Sequence, residues 1–294
     1  MKTIVTHNGP FHADEVFACE VIRWIVPEAM TTLRTRNAQQ IAEADYVVDV
    51  GGVYSPHTNQ FDHHQADDNL PCHPEGPEMA SFGQVWASHG KDFVHAFLYG
   101  RSYFHGEGTK PPDEMLSFIA ERIRKTLVLG IDMADMGAAN NDTLSVSGII
   151  AGMRPLWNED CSFDEGFWKA RRFVGQILRR QVKSAKAAWE AKEVWENAPR
   201  YNNGQIVVLP QYIPWQGMPM SEKLLYVVFP TTGGEYRVQQ TPKEPGSFAG
   251  RKPLPEAWVD TPPTQATFVH KGRFIAGAPN EKAALEMAAM AVEA

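Results

Sequence analysis

Thr6-His7-Asn8-Gly9-Pro10-Phe11-His12-Ala13-Asp14-Glu15 is the stretch around which the rest of the chain is organised. Before it, residues 2–6 contain the β-branched side chains typical of a short strand. After it, apolar residues recur with helical spacing between residues 16 and 25. Two histidines and two acids therefore lie on a turn between a strand and a helix. Because ligands in open α/β sheets bind at the carboxyl ends of strands, this turn predicts a binding site.

The composition is that of an ordinary globular protein. Of the 294 residues, 43% are hydrophobic and 21% are charged. A chain of this length can form one large domain or two smaller ones. The formal net charge of -7 argues against a broad electrostatic grip on nucleic acid. It leaves room for a nucleic-acid substrate that metal ions and a few arginines hold locally.

Cysteine usage and hydropathy indicate a compartment. Cys19, Cys72 and Cys161 are too few and too widely spaced for a disulfide framework, which favours a reducing environment. No run of residues approaches the roughly 18 apolar residues of a membrane span, and no basic leader precedes the first strand. We therefore expect a cytoplasmic protein without a membrane partner.

The order of the elements predicts an α/β fold whose first part is a mainly parallel sheet flanked by helices. The expected strands are 2–6, 30–35 and 45–52, and the expected helices are 16–25, 39–44, 79–88 and 112–135. From Phe163 to Asn197 the spacing is helical throughout, and at about 1.5 Å per residue such a helix spans on the order of 50 Å. A break in it is expected near Gly175.

Strand patterns replace helical ones after Pro199. They occupy residues 206–209, 224–229, 236–240, 266–270 and 273–276. A final amphipathic helix begins with Asn280 as its N-cap. We therefore predict three parts: a first domain (residues 1–160), a helical linker (161–199) and a smaller C-terminal α+β domain (200–294).

Acids and histidines recur at positions that one metal site can unite. In chain order they are His7, His12, Asp14, Asp49, Asp62, His63, His64, Asp132 and Asp135. Nitrogen and carboxylate donors without thiolates suit Mn²⁺, Mg²⁺, Fe²⁺ or Zn²⁺ rather than a sulfur-rich structural zinc site. Several carboxylates with a few histidines can hold two cations about 3.5–4 Å apart, and such a pair binds a phosphate ester and activates water for in-line attack.

Single members of this set have simpler explanations. Asp14 alone could N-cap the helix after Ala13, and Asp49 could close a turn at the end of its strand. The Asp62-His63-His64 run, and the acids beside the apolar helical segment 127–131, are costly to bury without a ligand or a partner. The conjunction of these residues, more than any one of them, indicates a metal site.

Three of these segments together resemble the melanocyte-proliferating-gene family, which belongs to the DHH phosphoesterase superfamily. They are the H-N-G-x-F-H-x-D-E turn at residues 7–15, the V-D-V-G-G strand end at 48–52 and the F-D-H-H-Q segment at 61–65. The resemblance runs nearly end to end. Arg34-Thr35-Arg36 is similar to the family's R-T-R stretch. Its C-terminal signatures are similar to residues 242–248, Arg251, residues 253–256, residues 268–270 and residues 273–275.

The resemblance implies a two-domain enzyme whose DHH-like catalytic domain, residues 1–160, binds divalent metal. The ligands that it implies are His7, Asp14, Asp49, His63 and Asp132. Asp49 would bridge two ions, and His12 is a further candidate because the first turn is one residue longer than is usual in the superfamily. A second departure is Asp135-Met136-Gly137, where the family typically has D-N-G.

The remaining roles follow from physical argument. Asp62 is expected to orient His63, and His64 to face the substrate and donate to a phosphoryl oxygen. The basic residues expected to hold substrate are Arg36 and, in the C-terminal substrate-binding domain, Lys243, Arg251, His270 and Arg273. A solvated surface is the simpler explanation for Lys243. Tyr212, Trp215 and Trp258 could stack on bases, although aromatic residues of such a domain are more often core.

The sequence and the resemblance together indicate a metal-dependent phosphodiesterase. As the family resemblance implies, it would be a 3′→5′ exonuclease on RNA or short oligonucleotides, with one or two ions, Mn²⁺ being the expected metal. Hydrolysis of a small phosphorylated metabolite or a dinucleotide is the alternative within the same chemistry. A metal-binding regulatory protein with a degenerate site is the alternative outside catalysis, and His12 and Met136 favour it. A homodimer is compatible with these functions.

Overall fold

The computed structural model describes the chain except for residues 27, 29, 66–69, 101–111, 139–142, 245 and 248. Pro245 and Phe248 of the predicted C-terminal signature therefore lie outside the described residues. The chain divides into two compact units, Met1–Lys186 and Ala187–Ala294. A search of the described helices finds none with the length and apolar character that a membrane span requires.

The first unit contains a five-stranded sheet. Its strands are β1 (Lys2–Thr6), β2 (Met30–Arg34), β3 (Tyr46–Val48), β4 (Tyr54–Ser55) and β5 (Gln60–Phe61). Their order is β2-β1-β3-β5-β4, and only β4 runs antiparallel to its neighbour. Ile4 of β1 pairs with Thr32 on one side and Tyr46 on the other. The prediction of an α/β fold with a mainly parallel sheet is confirmed.

Helices connect and cover these strands. They are α1 (Ala13–Ile25), α2 (Ala38–Ala42), α3 (Ser81–Tyr99), α4 (Asp113–Ile123), α5 (Leu129–Asp135), α6 (Val146–Ala151) and α7 (Phe163–Asn197). Helix α1 is buried along most of its length and packs against α3, where Phe17 stacks on Phe82 with ring centroids 5.1 Å apart. A π-helical turn, Arg124–Val128, joins α4 to α5.

The strand order places one edge of the sheet at a topological switch point. From β1 the chain moves outward to β2 and then returns to β3 on the opposite side of β1. Strands β1, β3 and β5 are adjacent and parallel, so their carboxyl ends lie side by side. Ligands of open α/β sheets bind at such a point.

Helix α7 continues unbroken for 35 residues, about 52 Å at 1.5 Å per residue. The break expected near Gly175 is wrong. A Cβ at Gly175 would lie 2.8 Å from the Glu20 carboxylate of α1, so the glycine gives α1 room to pack against α7. The division between the two units falls inside this helix, after Lys186.

The second unit contains a six-stranded sheet. Its strands are β6 (Arg200–Tyr201), β7 (Ile206–Val208), β8 (Tyr226–Pro230), β9 (Tyr236–Gln240), β10 (Phe268–Val269) and β11 (Ile275–Ala278). They lie in the order β10-β11-β9-β8-β7-β6, and only the β7–β8 pair is parallel. Helix α8 (Glu281–Glu293) starts where Asn280 accepts a hydrogen bond from the Ala283 N–H at 2.9 Å, as the sequence predicts.

Candidate metal centre

Polar residues follow each of the three adjacent parallel strands. His7 comes directly after β1, Asp49 directly after β3, and the Asp62-His63-His64 run directly after β5. Since these strand ends lie side by side, the fold brings together residues that the sequence separates by more than fifty positions.

Two arginines hold the first turn in shape. Arg34, buried at the end of β2, donates from Nη2 to the Gly9 carbonyl at 2.7 Å and from Nη1 to Asp164 at 2.7 Å. Arg154 donates from Nε to the Phe11 carbonyl at 2.6 Å. Gly9 has a φ of +86°, a conformation that L side chains rarely adopt. The turn is therefore a fixed connection between β1 and α1.

The N-terminus of α1 decides what Asp14 does. His12 is the N-cap residue, and its backbone N–H donates to both carboxylate oxygens of Glu15, at 2.9 and 2.8 Å. Asp14 is the second residue of the helix, it is fully buried, and neither of its carboxylate oxygens has a hydrogen-bond partner in the structure. The explanation of Asp14 as an N-cap is therefore wrong.

Asp49 occupies the centre of the cluster in a strained conformation. Its φ is +57°, in the left-handed region that costs a non-glycine residue roughly 1–2 kcal/mol. One carboxylate oxygen lies 3.1 Å from His63 Nε2 and accepts a 3.3 Å hydrogen bond from the buried Ser81 hydroxyl. The other oxygen lies 3.3 Å from His7 Nε2.

Asp62 organises the segment after β5. One of its oxygens accepts from the backbone N–H groups of His63 and His64, at 2.8 and 3.2 Å, and lies 2.8 Å from His64 Nδ1. The other accepts the Gly52 N–H at 2.6 Å. We expected Asp62 to orient the His63 ring, but the structure places the His64 ring against it. The reason is that His63 turns its Nδ1 to the Met136 sulfur, 3.1 Å away.

Asp135, rather than Asp132, lies at the cluster. Asp135 Oδ2 is 3.3 Å from His63 Nε2. Asp132 faces away into the core, where it is 2.7 Å from His73 Nε2 and accepts the Gly83 N–H at 3.1 Å. The negative end of a helix dipole is unfavourable for an acid, so a carboxylate in the last turn of α5 needs a nearby cation. Asp132 and Asp135 both lie in that turn, so the dipole alone does not choose between them.

The electrostatics of the cluster reflect an excess of buried negative charge. Burial lowers the pKa of His7 and of His63, but the surrounding carboxylates outweigh it and raise each pKa to about 10. Burial works to raise the pKa of Asp49, but His63 and His7 hold it below its ordinary value. Burial, together with the negative charges of Asp49 and Asp135, raises the pKa of Asp14 well above its ordinary value.

The donor atoms fall into three overlapping groups, within each of which they lie no more than 4.8 Å apart. The groups are His7, His12, Glu15 and Asp49; Asp49, His63 and His64; and His12, Asp14 and Asp135. Asp49 and His12 each belong to two groups. Sequence reasoning left Glu15 out of the ligand set, although it lies in the quoted turn.

A divalent cation fits this arrangement. Both oxygens of Asp14 are buried without a partner, and His63 Nε2, although close to two carboxylates, also makes no hydrogen bond of good geometry. Anionic and imidazole donors that converge without pairing are what Mn²⁺, Mg²⁺, Fe²⁺ or Zn²⁺ require. None of the cysteines contributes to the groups of candidate ligands found among the described residues.

The cluster lines a cleft of about 1090 Å³, at the upper end of the range for small-molecule sites. Arg36 and Arg154 lie on its wall. Helix α6 contributes Ser147 and Gly148. Sequence reasoning missed Arg154, since it stands in no motif with the other site residues.

A sequence profile of the family described as "Uncharacterised protein family (UPF0160)" matches residues 3–292. The human MYG1 exonuclease is 30% identical over 326 residues, which cover 97% of this chain and 84% of that protein. The MYG1 protein of Saccharomyces cerevisiae is 28% identical over 334 residues, covering 99% of this chain and 96% of that protein. This chain belongs to the UPF0160 family.

A solved structure is also similar at a much greater distance. RecJ from Thermus thermophilus, in complex with Mn²⁺, is 13% identical with a TM-score of 0.30, and the match covers 100% of this chain and 52% of that chain. So low a likeness assigns no metal and no activity to the UPF0160 chain.

The second unit of this UPF0160 protein contains the other predicted substrate-binding residues. Lys243 is exposed. Arg251 donates to the Ser221 and Leu224 carbonyls, the latter at 3.1 Å. Arg273 has a φ of +57° and lies 3.6 Å from Glu256, and His270 Nδ1 accepts the N–H of Gly272. Arg251 therefore has a structural role, because it connects its own loop to the segment 221–224. Binding of phosphate by these residues stays a prediction.

Two of the three predicted stacking residues of the second unit are core. Trp215 and Trp258 are buried on opposite sides of the sheet, in separate clusters that contain Val207 and Val208 respectively. They cannot present a face to a base. Tyr212 is 59% exposed and packs edge-on against Phe229.

Proposed function

We propose that this chain is a divalent-metal-dependent phosphodiester hydrolase that acts as a 3′→5′ exonuclease on RNA or short oligonucleotides. The observation that carries the proposal is the buried, unpartnered Asp14 carboxylate beside Asp49, Asp135 and two histidines. The name of the relatives, MYG1 exonuclease, supports the nuclease part of the proposal.

The proposed ligands are His7, His12, Asp14, Asp49, His63 and Asp135. Asp49 is the proposed bridge between two ions, since its two oxygens face different histidines. When bound, Mn²⁺ or a similar ion would polarise the phosphoryl oxygens and lower the pKa of a water molecule. Asp132 is not proposed as a ligand, because its oxygens are used on His73 and Gly83.

His64 is proposed to manage the proton of the leaving group. Its side chain is 62% exposed and lines the cleft, while the contact with Asp62 engages Nδ1. With Nδ1–H donated to Asp62, Nε2 is the atom that can hold a proton for the leaving oxygen.

Arg36 and Arg154 are the cleft residues proposed to bind substrate phosphate, because guanidinium groups match the geometry of phosphate oxygens. In the second unit, the residues proposed to bind substrate phosphate are Lys243, Arg251, His270 and Arg273. The net charge of -7 favours short substrates over long ones, so a dinucleotide or small phosphorylated metabolite is retained as the second candidate.

The substrate class can be tested by hydrolysis assays with added Mn²⁺. RNA oligomers of increasing length, dinucleotides and bis(p-nitrophenyl) phosphate are compared, and oligomers labelled at one end or the other report the direction of digestion. Stepwise mononucleotide release from the 3′ end supports the proposal. Cleavage of dinucleotides alone favours the second candidate. If no phosphodiester is hydrolysed, the function that remains is that of a metal-binding regulatory protein.

The ligand assignment can be tested with Asp49→Asn and His63→Ala. Asparagine tolerates the left-handed conformation of Asp49, so the first change removes charge with little backbone strain. Both variants should lose metal-dependent activity and bound Mn²⁺ while keeping the circular dichroism of the wild type. Asp92→Asn, an exposed carboxylate change, is the control. Wild-type activity with unchanged metal content in either ligand variant would show that the assignment is wrong.

A cytosolic location and a homodimer are further parts of the proposal. Free thiols at Cys19, Cys72 and Cys161 support a reducing compartment. Fractionation of cells followed by detection of the native protein tests the location.

A further inference from the structure

Exposed apolar side chains are concentrated in one segment of the first unit. Of the fourteen large apolar side chains that are exposed among the described residues, five lie between residues 144 and 163. They are Leu144, Ile149, Leu156, Trp157 and Phe163. Trp157 is 95% exposed, more than any of the others, although burying an indole is worth several times more than burying a methyl group.

The segment is continuous with the metal cleft. Gly152 and Arg154 line the cleft and also a neighbouring pocket of about 470 Å³. Leu156 and Glu159, on either side of Trp157, line that second pocket. Trp157 therefore lies in the chain between two residues of this pocket, which shares Gly152 and Arg154 with the proposed catalytic site.

The backbone around Trp157 is fixed before any ligand arrives. Glu159 donates its backbone N–H to the Leu156 carbonyl at 3.1 Å, and its carboxylate accepts the Leu156 N–H at 2.7 Å. The preceding residues pack closely on α7, where a Cβ at Gly166 would lie 3.1 Å from the Met153 carbonyl and 3.3 Å from Pro155. A ligand that binds here therefore loses little free energy in ordering the loop.

The pocket contains two basic and two acidic side chains, and the basic ones can contact a phosphate. Arg154 and Lys169 lie on its wall. Of the two acids, Glu159 is engaged with the backbone of its own turn and Asp160 is exposed. Arg154, three residues before the exposed Trp157, offers a guanidinium for a phosphate, and the indole offers a flat apolar face for a base.

We propose that Arg154 and Trp157 form a nucleotide subsite, in which the indole stacks on a base of a single-stranded oligonucleotide and the guanidinium holds the adjoining phosphate. The subsite rests on the proposed phosphodiesterase function and names its substrate class, a single-stranded nucleic acid longer than one nucleotide. The hydrogen bond that Arg154 Nε–H donates to the Phe11 carbonyl links the subsite to the turn that contains His7 and His12.

Binding measurements test the stacking without relying on catalysis. The probes are a fluorescein-labelled hexaribonucleotide and the same strand with one abasic position, titrated in EDTA and followed by anisotropy. Abasic positions are placed in turn along the strand. At one position the wild type should bind the intact strand about 5- to 150-fold more tightly than the abasic strand, which corresponds to the roughly 1–3 kcal/mol of a stacked base.

Substitutions connect that preference to Trp157. Trp157→Ala should remove the preference for the intact strand, and Trp157→Phe should restore most of it because phenylalanine keeps an aromatic face. Tyr201→Ala, which removes an exposed aromatic side chain of the second unit, is the matched control and should leave the preference unchanged. An equal preference in wild type and Trp157→Ala would overturn the subsite.

Kinetics and assembly state separate the remaining outcomes. We compare kcat/KM for the hexamer with kcat/KM for bis(p-nitrophenyl) phosphate. In Trp157→Ala the ratio of the first to the second should fall by about 5- to 150-fold. If the wild type hydrolyses no phosphodiester, the proposed function fails while the anisotropy result still decides the subsite. If light scattering shows a dimer that Trp157→Ala dissociates, with the strand preference unchanged, Trp157 belongs to an interface between two copies and the subsite is wrong.

Discussion

Asp14→Asn is the substitution that separates a metal ligand from a structural acid most sharply. Asp14 lies in the first turn of α1, fully buried, with both carboxylate oxygens unpartnered. In the metal-free protein this carboxylate faces Asp49 and Asp135, so it destabilises the fold. Asparagine has nearly the same shape and no charge. We therefore expect the variant to be more stable than the wild type without metal and less stable with it.

The magnitude follows from two opposing effects. Removing the negative charge beside Asp49 and Asp135, and replacing it with an amide that can donate to them, is worth about 1–3 kcal/mol. Loss of an acid from the first turn of a helix costs about 0.3–1 kcal/mol. The metal-free variant should therefore gain about 1–2 kcal/mol in the free energy of unfolding, which for a unit of this size raises Tm by about 2–8 °C.

Mn²⁺ should reverse the order. At a free concentration of about 100 times its Kd, the ion adds about 2.7 kcal/mol to the stability of the wild type. A variant without one carboxylate ligand binds the ion more weakly and gains less. The two stability curves should therefore cross as Mn²⁺ is added.

The assay is urea unfolding of both proteins in EDTA and across a Mn²⁺ titration, with Mn²⁺ affinity measured separately by calorimetry. Asp92→Asn, an exposed change in the same unit, should shift neither curve by more than about 0.5 kcal/mol. If Asp14→Asn lowers the stability of the metal-free protein, or keeps the full gain from Mn²⁺, the interpretation of Asp14 as a ligand is refuted.

Three further predictions concern residues that support the site. Burial raises the pKa of Asp132 to about 6, so the folded protein binds this proton more tightly than the unfolded chain does. The stability that the proton contributes is therefore lost as pH rises from about 4 to above 6. In urea unfolding, the free energy of unfolding of the wild type should fall over that pH range by about 2–3 kcal/mol relative to that of Asp132→Asn. A difference between the two proteins that stays constant with pH would refute the raised pKa of Asp132. Gly83→Ala should lower the free energy of unfolding by about 1–3 kcal/mol in calorimetry, since its Cβ would overlap the Asp132 carboxylate; wild-type stability would contradict this. Met136→Asn should tighten Mn²⁺ binding up to about tenfold in titration calorimetry, because an amide oxygen accepts from His63 better than a thioether does; unchanged affinity would contradict it.

The sequence predicts the part of the site that depends on local patterns. A polar residue directly after a buried strand needs only the strand boundary to be placed, and His7, Asp49 and the segment after β5 all satisfy this condition. The parallel order of the strands then brings these ends together. The roles assigned to these residues stay predictions, although their convergence is a property of the fold.

The sequence does not predict contacts that depend on packing between distant segments. Arg154 reaches the cleft because α6 and the following loop pack beside the first turn, and no spacing in the chain signals that contact. The orientation of the two adjacent histidines also depends on distant partners. Asp62 is placed against His64 because the Met136 sulfur is placed against His63.

The choice between Asp132 and Asp135 depends on a local change of helix geometry as well as on residue spacing. Buried residues between α4 and α5 recur in pairs every four positions: 115 and 116, 119 and 120, 123 and 124, 127 and 128, 131 and 132. A straight α-helix advances about 100° per residue, so a repeat of four drifts by about 160° over sixteen residues and cannot keep one face buried. The π-helical turn Arg124–Val128, which uses more residues per turn, absorbs that drift. The stripe therefore ends on Asp132 facing α3 and Gly83, and Asp135, three residues later, is left to face the cleft.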